Sequence, residues 1–210
     1  MSKAVLISIK PRWCGKIASG EKTVEIRKNF PKIETPFKCY IYCTKDPKMQ
    51  FWTGARYAYA DDHSHNALDR CGNGKVIGEF ICTDVRVYVW TRYAAPFDDN
   101  GEYNIPDADF KGCCLPYRQL DDYGDGEPLF GWHISDLVIY PEPKELGELI
   151  PNCQHGQDGE CTGVSKVDCP FQKRDYNPDG SINIVDCTKR VRRAPQSWCY
   201  VEDLGGADHA

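Results

Sequence analysis

Near its N-terminus the chain reads Ser19-Gly20-Glu21-Lys22-Thr23-Val24-Glu25-Ile26-Arg27-Lys28, and the expected fold can be built outward from this segment. Gly20 tolerates a positive φ and leads into β-branched residues that alternate with charged ones. That alternation is typical of a half-buried strand over Lys22–Lys28. Val24 and Ile26 are predicted to face the core.

The other face of this strand groups three charged side chains, with Lys22 at its entrance and Glu25 and Arg27 two residues apart. Because alternate residues of a strand point to the same side, a cation, a carboxylate and a guanidinium share one short surface. One interpretation is an exposed face of paired charges, worth less than about 1 kcal/mol of stability. The other is a binding site, and the surrounding sequence favours it.

The chain has 210 residues, with 5 Trp, 12 Tyr and 8 Phe, and a formal net charge of -5. Its length and aromatic content predict a globular protein with one main domain and insertions. The charge is uneven, because residues 1–50 carry +7, residues 51–160 carry -12 and residues 161–210 are neutral. A phosphate or nucleic-acid partner should therefore meet the N-terminal quarter, since the local field steers a charged ligand.

The hydropathy pattern predicts no membrane contact. No apolar run approaches the roughly 20 residues that span a bilayer, and the first residues are too strand-like for a secretory signal. We therefore predict a cytoplasmic protein. In a reducing compartment its 12 cysteines should be packed thiols or metal ligands, with a disulfide framework as the alternative.

Apolar periodicity and Gly or Pro boundaries predict a strand-rich chain with short helices. The predicted strands are Ala4–Ile9, Lys22–Lys28, Phe37–Thr44, Gly74–Trp90, Leu129–Tyr140 and Ala194–Glu202. The predicted helices are Pro11–Ser19 and Pro116–Gly124, with a helical turn at Pro143–Leu149 and loops at 45–73 and Thr91–Gly112. Short aromatic strands with little helix between them favour an α+β fold built on a small mixed β-barrel.

Composition divides the chain into three parts. Residues 1–150 are predicted to form the barrel domain, with a loop insertion at about 45–73. Residues 151–188 form a Cys-rich, loop-rich insertion, because they are poor in core residues. Residues 189–210 should supply a closing strand that returns to the barrel, followed by a tail.

Several motifs of this sequence resemble the ASCH domain family of the PUA-like superfamily. They are Ile9-Lys10-Pro11, then Trp13 and Ile17, then Gly20-x-Lys22-x-x-Glu25-x-Arg27, and Phe130–Leu137 near the end of the predicted core. The resemblance implies a PUA-like β-barrel with a cleft between barrel and helix. It also implies binding of RNA or nucleotides in that cleft.

The residues of such a cleft suit a nucleic-acid ligand. Cations neutralise phosphate, aromatic rings stack on unpaired bases, and amides read base edges. The candidate nucleic-acid-binding residues are Lys10, Arg12, Trp13, Lys22, Glu25, Arg27, Trp132 and Gln196. For Trp13 and Trp132 a core position is the alternative.

Two other functions are kept open. Some relatives are amidohydrolases that act on N(4)-acetylcytidine with a lysine, a threonine and a glutamate. Here Lys22 matches the lysine, but Glu25 stands where the threonine is expected, so Lys22 and Glu25 are the catalytic candidates if this chain is an enzyme. A regulatory module whose acidic middle contacts a protein partner is the second alternative.

Four cysteines of the Cys-rich segment are candidate zinc ligands. Cys153, Cys161, Cys169 and Cys187 are spaced by 8, 8 and 18 residues, and four thiolates satisfy tetrahedral zinc. The segment contains no Cys-x-x-Cys knuckle, so free thiols packed in a loop-rich appendage remain the alternative. No cofactor is required by the binding function.

Overall fold

The computed structural model describes residues 3–53, 58–59, 70–92, 101–149, 172–176, 182–187, 191 and 193–204. Its helices are α1 (Pro11–Ala18), α2 (Asp107–Cys113) and α3 (Tyr117–Gly124), with a 3₁₀ turn at Leu146–Glu148. Its strands are β1 (Lys3–Ile9), β2 (Val24–Arg27), β3 (Phe37–Cys43), β4 (Phe51–Thr53), β5 (Ala58–Tyr59), β6 (Arg70–Cys71), β7 (Val76–Tyr88), β8 (Trp90–Arg92), β9 (Gly101–Tyr103), β10 (Leu129–Lys144), β11 (Gln172–Tyr176), β12 (Ile182–Cys187) and β13 (Trp198–Glu202).

A six-stranded sheet forms the core, in the order β13-β1-β3-β7-β10-β2. Its β1–β3 pair is parallel, and the other four pairs are antiparallel. Strand β1 is mostly apolar and is buried on both faces from Ala4 to Ile9, as an interior strand requires. These elements confirm the predicted α+β class with a mostly β core.

The two edges of this sheet, β13 and β2, come together through side chains. Trp198 Nε1 donates to Asn29 Oδ1 at 2.7 Å, just beyond the end of β2. The Arg27 guanidinium reaches across to Ser8 O and toward Ser197. Side chains therefore bridge the two edges, whereas no backbone pairing joins β2 to β13 within the described residues, and the sheet does not close into a barrel there.

Helix α1 covers one side of the sheet and begins as its sequence predicts. Pro11 occupies the first turn, where its missing N–H costs nothing. Cys14 and Ile17 are buried against the main apolar core. The helix ends before Gly20, whose φ of 78° turns the chain toward β2.

Helices α2 and α3 cover the outer face of β2. Val24 and Ile26 pack there with buried residues of both helices, including Cys113 and Leu120. At Gly112 a Cβ atom would lie 2.5 Å from Thr23 Oγ1, so the helix approaches the strand closely. The remaining face of β2, which carries Glu25 and Arg27, is therefore directed to the other side of the sheet.

The predicted elements fit the structure unevenly. The loop predicted at 45–73 contains the short sheet β5-β4-β6, and the loop predicted at Thr91–Gly112 contains β9 and most of α2. Strand β13 pairs with β1 where the closing strand is expected. Of the Cys-rich segment 151–188, only β11 and β12 are described, and the rest lies outside the described residues.

Among the residues that the structure describes, no helix combines the length and apolar character needed to cross a bilayer.

Candidate functional site

A cleft of about 540 Å³ opens where the first helix meets the edge of the main sheet. One wall comes from the junction of β1 and α1, with Ser8, Lys10 and Trp13. The floor comes from Lys22, Glu25 and Arg27. The volume lies within the range of roughly 300–1,000 Å³ that is usual for small-molecule sites.

The three charged groups of the floor form one buried network, which we call the triad (Lys22, Glu25 and Arg27). Lys22 Nζ lies 3.3 Å from Glu25 Oε2, and Arg27 Nη2 lies 3.0 Å from Glu25 Oε1. The three residues are only 2%, 6% and 9% exposed, respectively. The expected grouping is therefore present, but the triad is buried rather than a half-exposed strand face.

Lys22 is fixed by backbone acceptors as well as by Glu25. Its Nζ donates to Val24 O at 2.8 Å and to Cys113 O at 2.7 Å. The ammonium also lies 5.3 Å from the centroid of the Trp13 ring. The ammonium therefore donates to two backbone carbonyls and also faces the Glu25 carboxylate as an ion pair. Lys22 thus fastens the C-terminus of α2 to the start of β2.

Arg27 fastens the other end of the triad to β1. Its Nη2 donates to Ser8 O at 2.6 Å, and its Nη1 lies 3.5 Å from Ser197 Oγ. The Nε atom is buried, and none of the described groups accepts a hydrogen bond from it. A buried donor without a partner is costly and is usually satisfied by a ligand or water.

The triad carries one surplus positive charge, because two cations surround one carboxylate. This charge lies in a poorly solvated floor, where its field is screened less than at an exposed surface. The nearby Cys14 reflects the apolar surroundings, since burial first, then the Cys43 thiol and the Glu25 carboxylate, raise the pKa of the Cys14 thiol well above its usual value. The cleft therefore offers a fixed positive potential to an anion.

Of the remaining predicted binding residues, some line the cleft and others do not. Exposed Lys10, half-buried Trp13 and exposed Gln196 line the cleft with the triad. Arg12 is exposed on α1, with its Cζ 4.9 Å from the Trp13 centroid, and is absent from the cleft wall. Trp132 is 0% exposed, so its predicted stacking role was wrong.

Trp132 is in the core because of its strand register. It pairs with Glu25 across β10 and β2 and with Val85 across β10 and β7. Its ring packs edge-on against Phe37 with the centroids 5.8 Å apart. A side chain enclosed by three strands has no face to offer a base.

The predicted zinc ligands cannot be placed in the same way. Cys153, Cys161 and Cys169 lie outside the described residues, and for Cys187 only its backbone position in β12 is described. In the part of the chain that is described, no group of three or more His, Cys, Asp or Glu side chains could hold a metal ion. Structural zinc stays a prediction.

Sequence reasoning missed the contribution of α3 to the cleft wall. Helix α3 contributes Gln119, Asp122 and Tyr123 to the cleft, and Leu115 precedes it. Asp122 and Tyr123 follow Gln119 by three and four residues within a predicted helix, so the three share one helix face. This spacing was the sequence signal that could have revealed the wall. The carbonyl of Cys113, which holds Lys22, had no sequence signal because it belongs to the unpredicted helix α2.

Comparison with solved structures relates the chain to a crystal structure of ASCH from Zymomonas mobilis. That match has 21% identity and a TM-score of 0.42, and it covers 68% of this chain and 73% of that chain. Two mutants of that protein match at 18% and 19% identity, both with a TM-score of 0.41. The match to the first mutant covers 69% of this chain and 77% of the mutant. The match to the second covers 68% of this chain and 74% of the mutant. No protein-family model and no curated protein matches the chain.

The structural neighbours of the chain are thus ASCH domain proteins. At a TM-score below 0.5, such a likeness carries no information about ligand or activity.

Proposed function

We propose that this protein binds a nucleotide, either free or within single-stranded RNA, in the cleft above the triad. The single observation that carries the proposal is the buried surplus charge of Lys22, Glu25 and Arg27 at the cleft floor. A phosphate placed above this floor would neutralise the charge. It would also lie against the guanidinium of Arg27, which lines the cleft.

The shape and lining of the cleft support a nucleotide more than a simple anion. Trp13 supplies an aromatic face at the rim, and Gln196 supplies an amide that can donate and accept hydrogen bonds. Exposed Lys10 adds a mobile cation beside the fixed triad. A ligand with an anionic group and a planar polar base uses all of these features.

The side-chain bridges between β2 and β13 support a further part of the proposal, a PUA-like barrel of the ASCH kind. Arg27, through Ser197, and Trp198, through Asn29, connect the two sheet edges, and no backbone pairing joins these edges among the described residues. The ligand cleft would then lie at the seam of this barrel.

The geometry favours binding over amide hydrolysis. Each oxygen of Glu25 is already paired with a cation, and the donors of Lys22 are directed to two carbonyls and Glu25. A general base must accept a proton from water or substrate, and paired oxygens are less available for that role. Thr23 is exposed and its Oγ1 lies against Gly112 on the α2 side, so it does not replace the missing threonine.

The proposal is tested by titrating the protein with a nucleoside monophosphate, a short single-stranded RNA and an RNA duplex at two salt concentrations. The informative variant is Lys10→Ala, because Lys10 is exposed and lines the cleft. Replacing Lys22 or Arg27 would confuse binding with folding, since both are buried in the triad.

Binding to the mononucleotide and single strand should weaken as salt rises, since the contacts are electrostatic. Lys10→Ala should weaken it about three- to tenfold through loss of one charge-assisted contact. Lys32→Ala removes an exposed lysine that does not line the cleft, and it should bind like the wild type. Equal affinity in all three proteins, or no binding of any ligand, would refute the proposal.

A further inference from the structure

Helix α3 presents one polar face to the cleft. Gln119, Asp122 and Tyr123 line it, while Leu120 and Gly124 on the other side of the helix are buried. Positions three and four residues apart share a helix face, so these three side chains act on the same surface. These three side chains supply an amide, a carboxylate and a phenol to the cleft, whereas Arg118, one turn before Asp122, does not line it.

The cleft is therefore polarised between two walls. Lys10, Lys22 and Arg27 lie on the side of β1, α1 and β2, whereas Asp122 contributes a carboxylate from α3. A ligand whose anionic group meets the basic side turns its far end toward acceptor oxygens. Hydrogen-bond donors at that far end match the α3 wall.

The carboxylate of Asp122 is held loosely enough to serve a ligand. Among the described residues its ion pair is with Arg118, whose Nε lies 4.0 Å from Asp122 Oδ2, and the side chains of Asp122 and Arg118 are 72% and 92% exposed. A pair of this kind is weak because both groups are well solvated. A base edge brought to the cleft can compete with it.

Tyr123 gives the same wall an aromatic surface. It is 40% exposed, and Lys28 Nζ lies 5.3 Å from its ring centroid. Together with Trp13 it places an aromatic ring on each of the two helices that border the cleft. Aromatic rings stack on all four bases with little discrimination, so hydrogen bonds to Asp122 and Gln119 must supply any base preference.

We infer that α3 is a base-selecting wall, and that the cleft prefers nucleotides whose base carries an amino group, with guanine bound most tightly. The inference rests on the proposed nucleotide binding. Guanine offers an N1–H and an amino group side by side, which matches the two oxygens of a carboxylate. Uracil offers one N–H between two carbonyls, which would face the Asp122 oxygens unfavourably.

The test is a titration of wild-type protein with GMP, CMP, AMP and UMP under identical salt and pH. GMP should bind at least about fivefold more tightly than UMP, as one additional hydrogen bond to a charged group implies. In Asp122→Asn the preference for GMP should fall to within about twofold, because an amide presents a donor to N1–H. Affinity for UMP should rise, because the amide N–H₂ can donate to a uracil carbonyl that the carboxylate repels.

Glu127→Gln is the matched control, because it removes an exposed carboxylate just after α3 that does not line the cleft. It should retain the wild-type preference. A second set of titrations with single-stranded trinucleotides of G or U distinguishes an RNA ligand from a free nucleotide, since only an RNA site gains affinity from the added residues.

Similar wild-type affinity for all four nucleotides, or an unchanged preference in Asp122→Asn, would overturn the assignment of α3 while leaving phosphate binding intact. Failure of every nucleotide to bind would remove the proposed function, and the base-selecting wall with it.

Discussion

Replacing Glu25 with glutamine should destabilise the fold strongly, although the side chain keeps its shape. Glu25 lies 3.3 Å from Lys22 Nζ and 3.0 Å from Arg27 Nη2, and it is 6% exposed. At an effective dielectric constant of about 20, each attraction amounts to roughly 5 kcal/mol before desolvation is counted. The substitution removes both attractions and leaves two buried cations facing each other.

The net loss is smaller than the sum of these attractions, because burying the carboxylate also costs free energy. Breaking a buried ion pair by removing one partner typically costs about 3–5 kcal/mol. That is a large part of the roughly 5–15 kcal/mol that stabilises an average domain. We therefore expect Glu25→Gln to lower the free energy of unfolding by about 3–5 kcal/mol.

The assay is urea unfolding followed by tryptophan fluorescence, with the midpoint and slope compared between variants. Glu21→Gln is the matched control, because Glu21 forms a 2.7 Å pair with Lys16 at the surface and is 60% exposed. Its unfolding curve should coincide with that of the wild type. If Glu25→Gln unfolded at the same urea concentration as Glu21→Gln, the ion pairs of the triad would not stabilise the fold.

Two further predictions concern packing and pH. Gly112→Ala should lower the free energy of unfolding by about 1–3 kcal/mol, because its Cβ would push α2 away from Thr23 Oγ1. Thermal unfolding measures this loss. The control is Gly126→Ala, whose Cβ would meet no atom within 4 Å. Gly126 has a φ of 78°, so its own backbone cost must be subtracted. Burial raises the pKa of Cys82 from 9.0 to about 12, so the folded state holds the thiol proton more tightly than the unfolded chain. The free energy of unfolding should therefore fall as pH rises from about 9 toward 12. The melting temperature of Cys82→Ala should decline less steeply over that range than that of the wild type. Parallel declines in the two proteins would contradict a raised pKa at Cys82.

Much of the sheet could be predicted because local chemistry and packing agree there. Strand β1 is apolar from Ala4 to Ile7 and again at Ile9, and α1 combines Pro11 at its start with Gly20 just after its end. In such segments the hydrophobic period and the boundary residues indicate the same element. The approach of Glu25 and Arg27 also follows from their spacing of two residues on β2, whereas Lys22 precedes the strand and is held there by Cys113 O.

Helix α2 could not be predicted because its own sequence favours a helix weakly. Gly112 is a poor helix former, and the segment lacks a clear apolar stripe. Its support comes from distant partners: Asp109 accepts hydrogen bonds from Tyr88 and Arg86, and Gly112 O accepts one from Thr23 N. Tertiary contacts of this kind leave no local pattern.

The burial of the triad was missed for a related reason. Lysine, glutamate and arginine are almost never fully buried unless they are paired, so a strand that carries them is normally assigned an exposed face. Here pairing alone is insufficient, because Lys22 also needs Cys113 O and Arg27 needs Ser8 O. The first of these partners lies on the unpredicted helix α2, and the second required knowledge that β2 curls toward β1.

The claim that the cleft recognises the phosphate of a nucleotide is tested most directly by titrating the wild-type protein with CMP and with cytidine, at low and at high salt. The two ligands differ only in the phosphate. If the triad and Lys10 attract that group, CMP should bind about tenfold or more tightly at low salt, and the difference should shrink as salt screens the charges. Equal binding of the two ligands at both salt concentrations, or binding of neither, would contradict the account.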